Sequence, residues 1–361
     1  MLMGLLSLDI QDFRNIHRAS LEFSPGLNLI TGENAAGKTS LMEAVYYLGR
    51  VRSFRTHHVN QPIREGQGAF RLVGRLQREQ GRLVPIGIER QTSNLQVHLD
   101  GAAVRRLSDL AGSFPVQVLS GDTANIISGG PRYRRQSLDW ALFHVEQTYR
   151  DVWQRYARAL RQRNAALRAQ APANQVSSWD GELVEAGNEI HAIRLRYVET
   201  LVPRLQQELQ LLLPAVQIQL EYQRGWSVER DLAAQLVRSL EGDRTVGNTR
   251  NGPHRADFTL LANDQPLQSH CSRGQQKAAI VGFMLAQVKC QQDRSAPLGA
   301  FLLDDIGSEL DASHQARVLQ ALRALDMQVF VTTIGDQPAG VTDWPGMKRF
   351  HVEHGEIQEV V

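Results

Sequence analysis

The stretch LNLITGENAAGKTS, residues 27–40, restricts the fold more than any other part of this 361-residue chain. An apolar run of strand character enters a Gly-x-x-x-x-Gly-Lys-Thr loop, and the residues from Thr39 to Leu48 continue with helical character. Strand, glycine-rich turn and helix start in that order make a P-loop, whose backbone amides cradle phosphate oxygens. Gly32 and Gly37 permit the tight turn. Lys38 is placed to neutralise the β- and γ-phosphates, and the Thr39 hydroxyl to ligate Mg²⁺. The cradle comprises Gly32, Glu33, Asn34, Ala35, Ala36, Gly37, Lys38, Thr39 and Ser40.

A second motif gives the first a chemistry. AFLLDD, residues 300–305, is an apolar strand ending in two carboxylates. Beside a P-loop, Asp304 is expected to hold Mg²⁺ and Asp305 to orient and deprotonate a water. The last ninety residues alternate helix, strand, helix, strand, which predicts parallel strands with crossover helices. Within them CSRGQQKAAIVGFMLA, residues 271–286, offers Ser272, Gly274 and Gln275 at a helix start suited to an anion. One chain has one P-loop, so this second phosphate-binding feature predicts two facing copies. Each would cap the nucleotide held by the other with Ser272-Arg273-Gly274-Gln275. A capped helix without a ligand is the plainer alternative. SELD, residues 308–311, reads equally as a helix cap.

Elsewhere, residues 5–31 read as two strands before the loop, and residues 68–120, from AFRLVGRL to FPVQVL, as an antiparallel meander. Residues 133–213 read as mostly helical, with Pro203 kinking or restarting a helix. VQIQLEY reads as a strand and DFTLLANDQPL as a hairpin. The fold class expected is α/β: a mixed sheet with flanking helices and an antiparallel β subdomain, residues 1–125 and 245–361, interrupted by a mainly helical lobe, residues 126–244.

Composition narrows the setting. Only two cysteines, Cys271 and Cys290, argue against a disulfide framework or a cysteine zinc site and for a reducing cytoplasm. No window approaches the apolar length of a membrane span. The opening MLMGLLSLDIQDFRNI meets Asp9 and Asp12 too soon for an export signal and reads as a strand. Net charge is +2, yet residues 130–170 hold nine arginines against three acids. Such a lobe suits a polyanion. Arg132, Arg134, Arg135, Arg158 and Arg161 are the candidate DNA contacts. Local ion pairing of Arg134 and Arg135 with the neighbouring Asp139 stands level with that reading.

P-loop, SRGQQK, LLDD and SELD in this order resemble the ATPase heads of the ABC class. FRNI (13–16), RSFRT (52–56), GGPRYRRQSLDW (129–140), NGPHRADF (251–258), CSRGQQK and LLDDIGSELD together resemble the RecF family of ABC/SMC-type heads, across nearly the whole chain. The resemblance implies an ATP- and Mg²⁺-dependent homodimer. It would close on DNA at single/double-strand junctions or on duplex, hydrolyse ATP slowly, and act with RecR and RecO to load RecA in recombinational repair, replication restart and the damage (SOS) response. It implies phosphate contact by Arg14 and a place for Asp311 in the loop crossing the dimer interface. Two departures stand out: Asp305 occupies a position usually Glu in transporter heads, and Thr332 and Thr333 stand where those heads carry a switch histidine. Gln117 is a weaker candidate for sensing metal. Two rivals carry different expectations: a transport-coupled ATPase subunit would have a groove for a membrane partner, and an SMC-like bridging ATPase would have long arms, which this chain lacks. A nuclease fusion lacks a metal-binding acid cluster.

Overall fold

The computed structural model describes residues 4–360 except 79–80, 105–109, 111, 326, 336–337, 339 and 342–343. The chain divides into two compact units. The first holds Met1–Ala124, Glu208–Pro214 and Ser272–Val361; the second holds Asn125–Gln207 and Ala215–Cys271.

In the first unit, β1 (Gly4–Phe13) and β2 (Ile16–Glu22) pair as an antiparallel hairpin, and β3 (Leu27–Thr31) follows after Ser24-Pro25-Gly26. Three strands therefore stand where the alternation of apolar residues had suggested two. The break is a tight turn in which Arg14 takes a left-handed φ of 56°. Helix α1 (Lys38–Arg50) is buried at most of its positions. Gly49 lets it approach β8 (Val116–Leu119): an added Cβ there would lie 2.5 Å from the Phe114 carbonyl oxygen. Between them, β4 (Ala69–Gln77), β5 (Leu83–Gln91), β6 (Leu95–Leu99) and β7 (Ala102–Ala103) extend the hairpin into an antiparallel sheet of order β2-β1-β4-β5-β6-β7. The meander expected over 68–120 thus ends early. FPVQVL supplies β8 to the other sheet, parallel to a strand 184 residues away, Ala300 lying opposite Val116. Val116, Gln117 and Leu119 are all buried, and burial on both faces marks a parallel strand where the lone Gln117 mimics alternation.

The second unit opens with a single helical turn, Asn125–Ser128, followed by α2 (Pro131–Val145) and α3 (Tyr149–Arg168), and continues into α4 (Asp180–Leu212), whose last turn from Glu208 counts with the first unit. Pro203 sits inside α4 without ending it, so of the expected kink or restart the restart does not occur. The buried Leu201 and Leu205 on either side supply packing that offsets one missing amide bond. Next come β9 (Ile218–Gln223), α5 (Leu232–Val246), β10 (Asp257–Ala262) and the short β11 (Gln265–Pro266). β9 and β10 pair along their whole lengths, which keeps residues 245–271 in this unit. The boundary drawn from sequence at 244/245 does not coincide with that division. Two fully buried arginines tie the helices together. Arg163 meets Asp180 at 2.7 Å and Asp243 at 2.8 Å; Arg194 meets Asp139 at 2.8 Å. Buried charges of this kind are tolerated only when paired.

Back in the first unit, α6 (Arg273–Asp293), β12 (Ala300–Leu303), α7 (Ala312–Arg323), β13 (Gln328–Thr332), β14 (Lys348–Glu353) and β15 (Glu356–Val360) complete the chain. The second sheet has the order β15-β14-β3-β13-β12-β8 and is parallel except for β15. Gln328 joins the two sheets: its amide donates to the carbonyls of Leu5 and Ser24 and accepts from the Leu5 N–H, each at 2.8 Å. Every polar atom of this buried side chain is satisfied, as its position requires.

Candidate functional site

Three neighbouring parallel strands, β3, β13 and β12, end on one edge of the sheet. Ligands of open α/β sheets bind outside such carboxyl ends. From β3 the chain enters the P-loop, with Gly32 at φ 147° and Gly37 at φ 127°. A Cβ on Gly32 would lie 2.3 Å from the Val352 carbonyl oxygen, so this position excludes any larger residue. The loop is braced from outside. Asn15 donates its side-chain amide to the Ala36 carbonyl at 3.1 Å, and the Gly355 N–H reaches the same oxygen at 2.8 Å. Lys38 bridges the loop, donating to the carbonyls of Gly32 and Glu33 at 2.7 Å each. Burial lowers its pKa, and the nearby Asp305 and Asp304 oppose that shift.

The acids meet the P-loop across β13. The Thr39 hydroxyl donates to Asp304 Oδ1 at 3.1 Å, and the Thr332 hydroxyl donates to the same oxygen at 2.9 Å. Thr332 also accepts the Asp305 N–H at 2.7 Å. Burial raises the Asp304 pKa against the pull of these two hydroxyls. Asp305 begins its own turn with φ 52°. A hydroxyl and a carboxylate 3.1 Å apart suit Mg²⁺, which takes few protein ligands and completes its shell with phosphates and water. Among the described residues no group of three or more His, Cys, Asp or Glu could hold a metal; a Mg²⁺ at this site would be held by Thr39 and Asp304.

These residues open onto a cleft of about 920 Å³. Lys38, Thr39, Asp305 and Thr332 line its floor, and Arg14, Arg55, Gln61 and Arg64 stand among its walls. Arg14, for which the family resemblance implies phosphate contact, is one of the residues lining this cleft. Glu43 and Asn15, which support the walls, were not singled out from sequence. Glu43 sits in an apolar helix run, LMEAVYY, where a lone acid is itself a signal.

Ser272, Gly274 and Gln275 are not among the residues lining that cleft. They form a capping box at the start of α6: Ser272 Oγ accepts the Gln275 N–H at 3.3 Å, and Gln275 Oε1 accepts the Ser272 N–H at 2.9 Å. Gly274 has nothing within 4 Å of where a Cβ would point. Asp311 caps α7 by accepting the His314 N–H at 2.9 Å. Lys277 donates to the Ser308 carbonyl at 3.1 Å, linking the first turns of α6 to the helical turn Ile306–Glu309. Thr333 and Gln117 are both buried, and the Gln117 amide has no hydrogen-bond partner among the described atoms.

In the second unit the arginines separate by role. Arg134 forks onto Asp257 at 2.7 and 3.0 Å and donates to the Gly129 carbonyl at 2.7 Å. Arg135 donates to the Ala256 carbonyl at 2.8 Å; burial, first, and neighbouring Arg194 lower its pKa. The ion pair anticipated with Asp139 is made with Asp257 instead, because Asp139 is taken by Arg194 and Tyr149. Arg155 bridges Glu182 and Glu185, and Arg163 is buried. Arg132, Arg158 and Arg161 are exposed.

A P-loop, a bridging threonine and two acids on adjacent parallel strands, with a capped signature helix in the same unit, define an ATPase head of the ABC/SMC class. The family described as RecF/RecN/SMC N terminal domain matches residues 4–344. The DNA replication and repair protein RecF of Thioalkalivibrio sulfidiphilus is 37% identical over 357 residues, covering 99% of each chain. That of Shewanella loihica is 38% identical over 360 residues, covering 98% of this chain and 99% of its own. A solved structure of the recombination mediator protein RecF with ATP superposes with a TM-score of 0.88 at 25% identity, covering 100% of this chain and 98% of that one. An Smc head domain from Pyrococcus furiosus shares the fold at 14% identity and a TM-score of 0.62, covering 99% of this chain and 96% of that one. The chain belongs to the RecF family.

Proposed function

We propose that this protein is an ATP-dependent DNA-binding ATPase of replication and recombinational repair, working as a dimer that closes when ATP is bound. The observation that carries the reading is the split of one phosphate site into two parts. A cleft is lined by Lys38, Thr39 and Asp305, with Asp304 bonded to Thr39, while Ser272, at a second helix start of the kind that suits an anion, is in the same unit but not among the residues lining that cleft. A second copy supplies what each cleft lacks. Relatives named as DNA replication and repair proteins, and a RecF structure with ATP, support the assignment.

The chemistry then follows the residues. P-loop amides and Lys38 hold the phosphates; Thr39 and Asp304 would hold Mg²⁺, which would supply neutralisation of phosphate charge there. Asp305 accepts a proton from the attacking water at its carboxylate. Its side chain is one methylene shorter than glutamate, which suits slow turnover and a long-lived closed state. Arg132, Arg158 and Arg161 contact the DNA backbone without reading sequence. Preference for gapped or junction DNA, a cytoplasmic site of action, and cooperation with RecO and RecR in loading RecA belong to the same reading.

Sedimentation of the Asp305→Asn protein with and without ATP and a gapped duplex tests it. Hydrolysis should fall about a hundredfold or more, while ATP drives the protein to a DNA-holding dimer. Ser272→Arg should bind ATP as a monomer and not dimerise. If Ser272→Arg instead loses ATP binding as a monomer, the shared-site reading fails.

A further inference from the structure

We propose that Glu43 is a positioning residue of the nucleotide cleft: it holds the guanidinium groups of Arg14 and Arg55 in place for the bound nucleotide's phosphates. The proposal rests on the ATP-site reading above.

Glu43 lies on α1 one helical turn after Thr39, and its side chain is fully buried. A carboxylate in that place is costly unless paired. Its two oxygens accept side-on from a single guanidinium: Arg14 Nη2 reaches Oε1 at 2.7 Å and Arg14 Nε reaches Oε2 at 2.9 Å. Arg55 Nη1 stands 3.6 Å from Oε2. One buried acid thus gathers two arginines from two separate loops, and both arginines line the cleft.

The arrangement is over-determined. Arg14 holds a left-handed backbone, φ 56°, which is unfavourable for a side chain of its kind. Its N–H donates to the Pro62 carbonyl at 2.8 Å, and Arg64 N–H donates to the Asp12 carbonyl at 2.9 Å, so the β1–β2 turn and the 60–64 loop are locked together. Arg14 Nη1 donates to the Gln61 carbonyl at 3.0 Å. A guanidinium carries five N–H groups; these contacts use three, leaving two for a ligand. Two arginines around one acid leave a net positive charge at the rim. Without the acid they would repel each other and lose their common orientation. A bidentate carboxylate fixes an arginine's plane as well as its position, and planar orientation is what forked recognition of a phosphate requires.

The test is a double-mutant cycle read as ATP dissociation constants for the wild type, Glu43→Gln, Arg14→Ala and the double variant, with Lys38→Met as control. Glu43→Gln and Arg14→Ala are each expected to weaken ATP about tenfold, the loss of one charge-assisted contact. The double variant should be no more than about twofold weaker than Arg14→Ala alone, that remainder being what Glu43 contributes through the more distant Arg55. Wild-type affinity in Glu43→Gln, or two effects that multiply, overturns the proposal. Should Glu43→Gln not fold, Arg14→Lys is measured with Glu43 intact. Lysine keeps the charge but cannot be gripped by both oxygens, so affinity should fall at least about fivefold; unchanged affinity overturns the proposal. ATP binding unaffected by Lys38→Met would instead sink the ATP-site reading itself.

Discussion

At Thr332 one hydroxyl serves both acids. It donates to Asp304 and accepts from the backbone of Asp305, so the relative placement of the two acids passes through a single oxygen. Thr332→Val removes that oxygen while keeping the shape. It leaves the partly buried Asp305 N–H without its acceptor and the partly buried Asp304 with one donor fewer, at a cost of about 1–3 kcal/mol. Turnover should fall at least about tenfold with ATP affinity changed less, and Thr332→Ser should restore most of it. Steady-state hydrolysis beside nucleotide titration measures both; wild-type kcat in Thr332→Val rules the role out. Sequence showed that a threonine stands where related heads carry a histidine. It did not show that this threonine bonds to both acids, because that depends on β13 lying between β3 and β12.

Among the elements, the turn from Pro253 to Arg255 and helix α3 meet at His254. Tyr156 donates its hydroxyl to His254 Nδ1 at 2.6 Å, and Nε2 donates to the Thr249 carbonyl at 3.0 Å. A neutral ring satisfies both bonds, and burial pushes the His254 pKa down to about 4 from an ordinary 6.5. The unfolded chain therefore takes up a proton between those values that the folded chain refuses. Stability from this group is complete above pH 6.5 and is lost as pH falls towards 4, by about 2 kcal/mol near pH 5. Denaturant unfolding at pH 7.5 and 5 should show a smaller pH dependence in His254→Gln than in the wild type; equal dependence excludes the mechanism. The same elements show where sequence reading stops. NGPHRADF was visible as a motif, but its partner Tyr156 lies 98 residues away. β8 was misassigned for the same reason: its neighbour is distant in sequence, and alternation alone does not reveal a parallel pairing.

For the molecule as a whole, charge counting needed correction by packing. Of nine arginines between residues 130 and 170, Arg163 is buried, Arg134 is paired with Asp257, and Arg155 is paired with glutamates. Arg158 and Arg161, three residues apart on α3, stay exposed. Reversing both to Glu should weaken DNA binding and reduce the slope of log K against log salt by about 2, with ATP binding unchanged. DNA titrations across salt concentrations report this, and an unaltered slope removes α3 from the interface.

The sequence alone determined the local chemistry: a glycine-spaced loop, a strand ending in acids and a capped helix start. Each is a short-range pattern set by backbone sterics and hydrogen bonding over a few residues. Tertiary structure alone decided which arginines are available to a ligand, which threonine joins the acids, and that a buried glutamate grips Arg14. Those outcomes depend on desolvation and on contacts between residues far apart in the chain, and a charge's worth is set by what the fold packs against it.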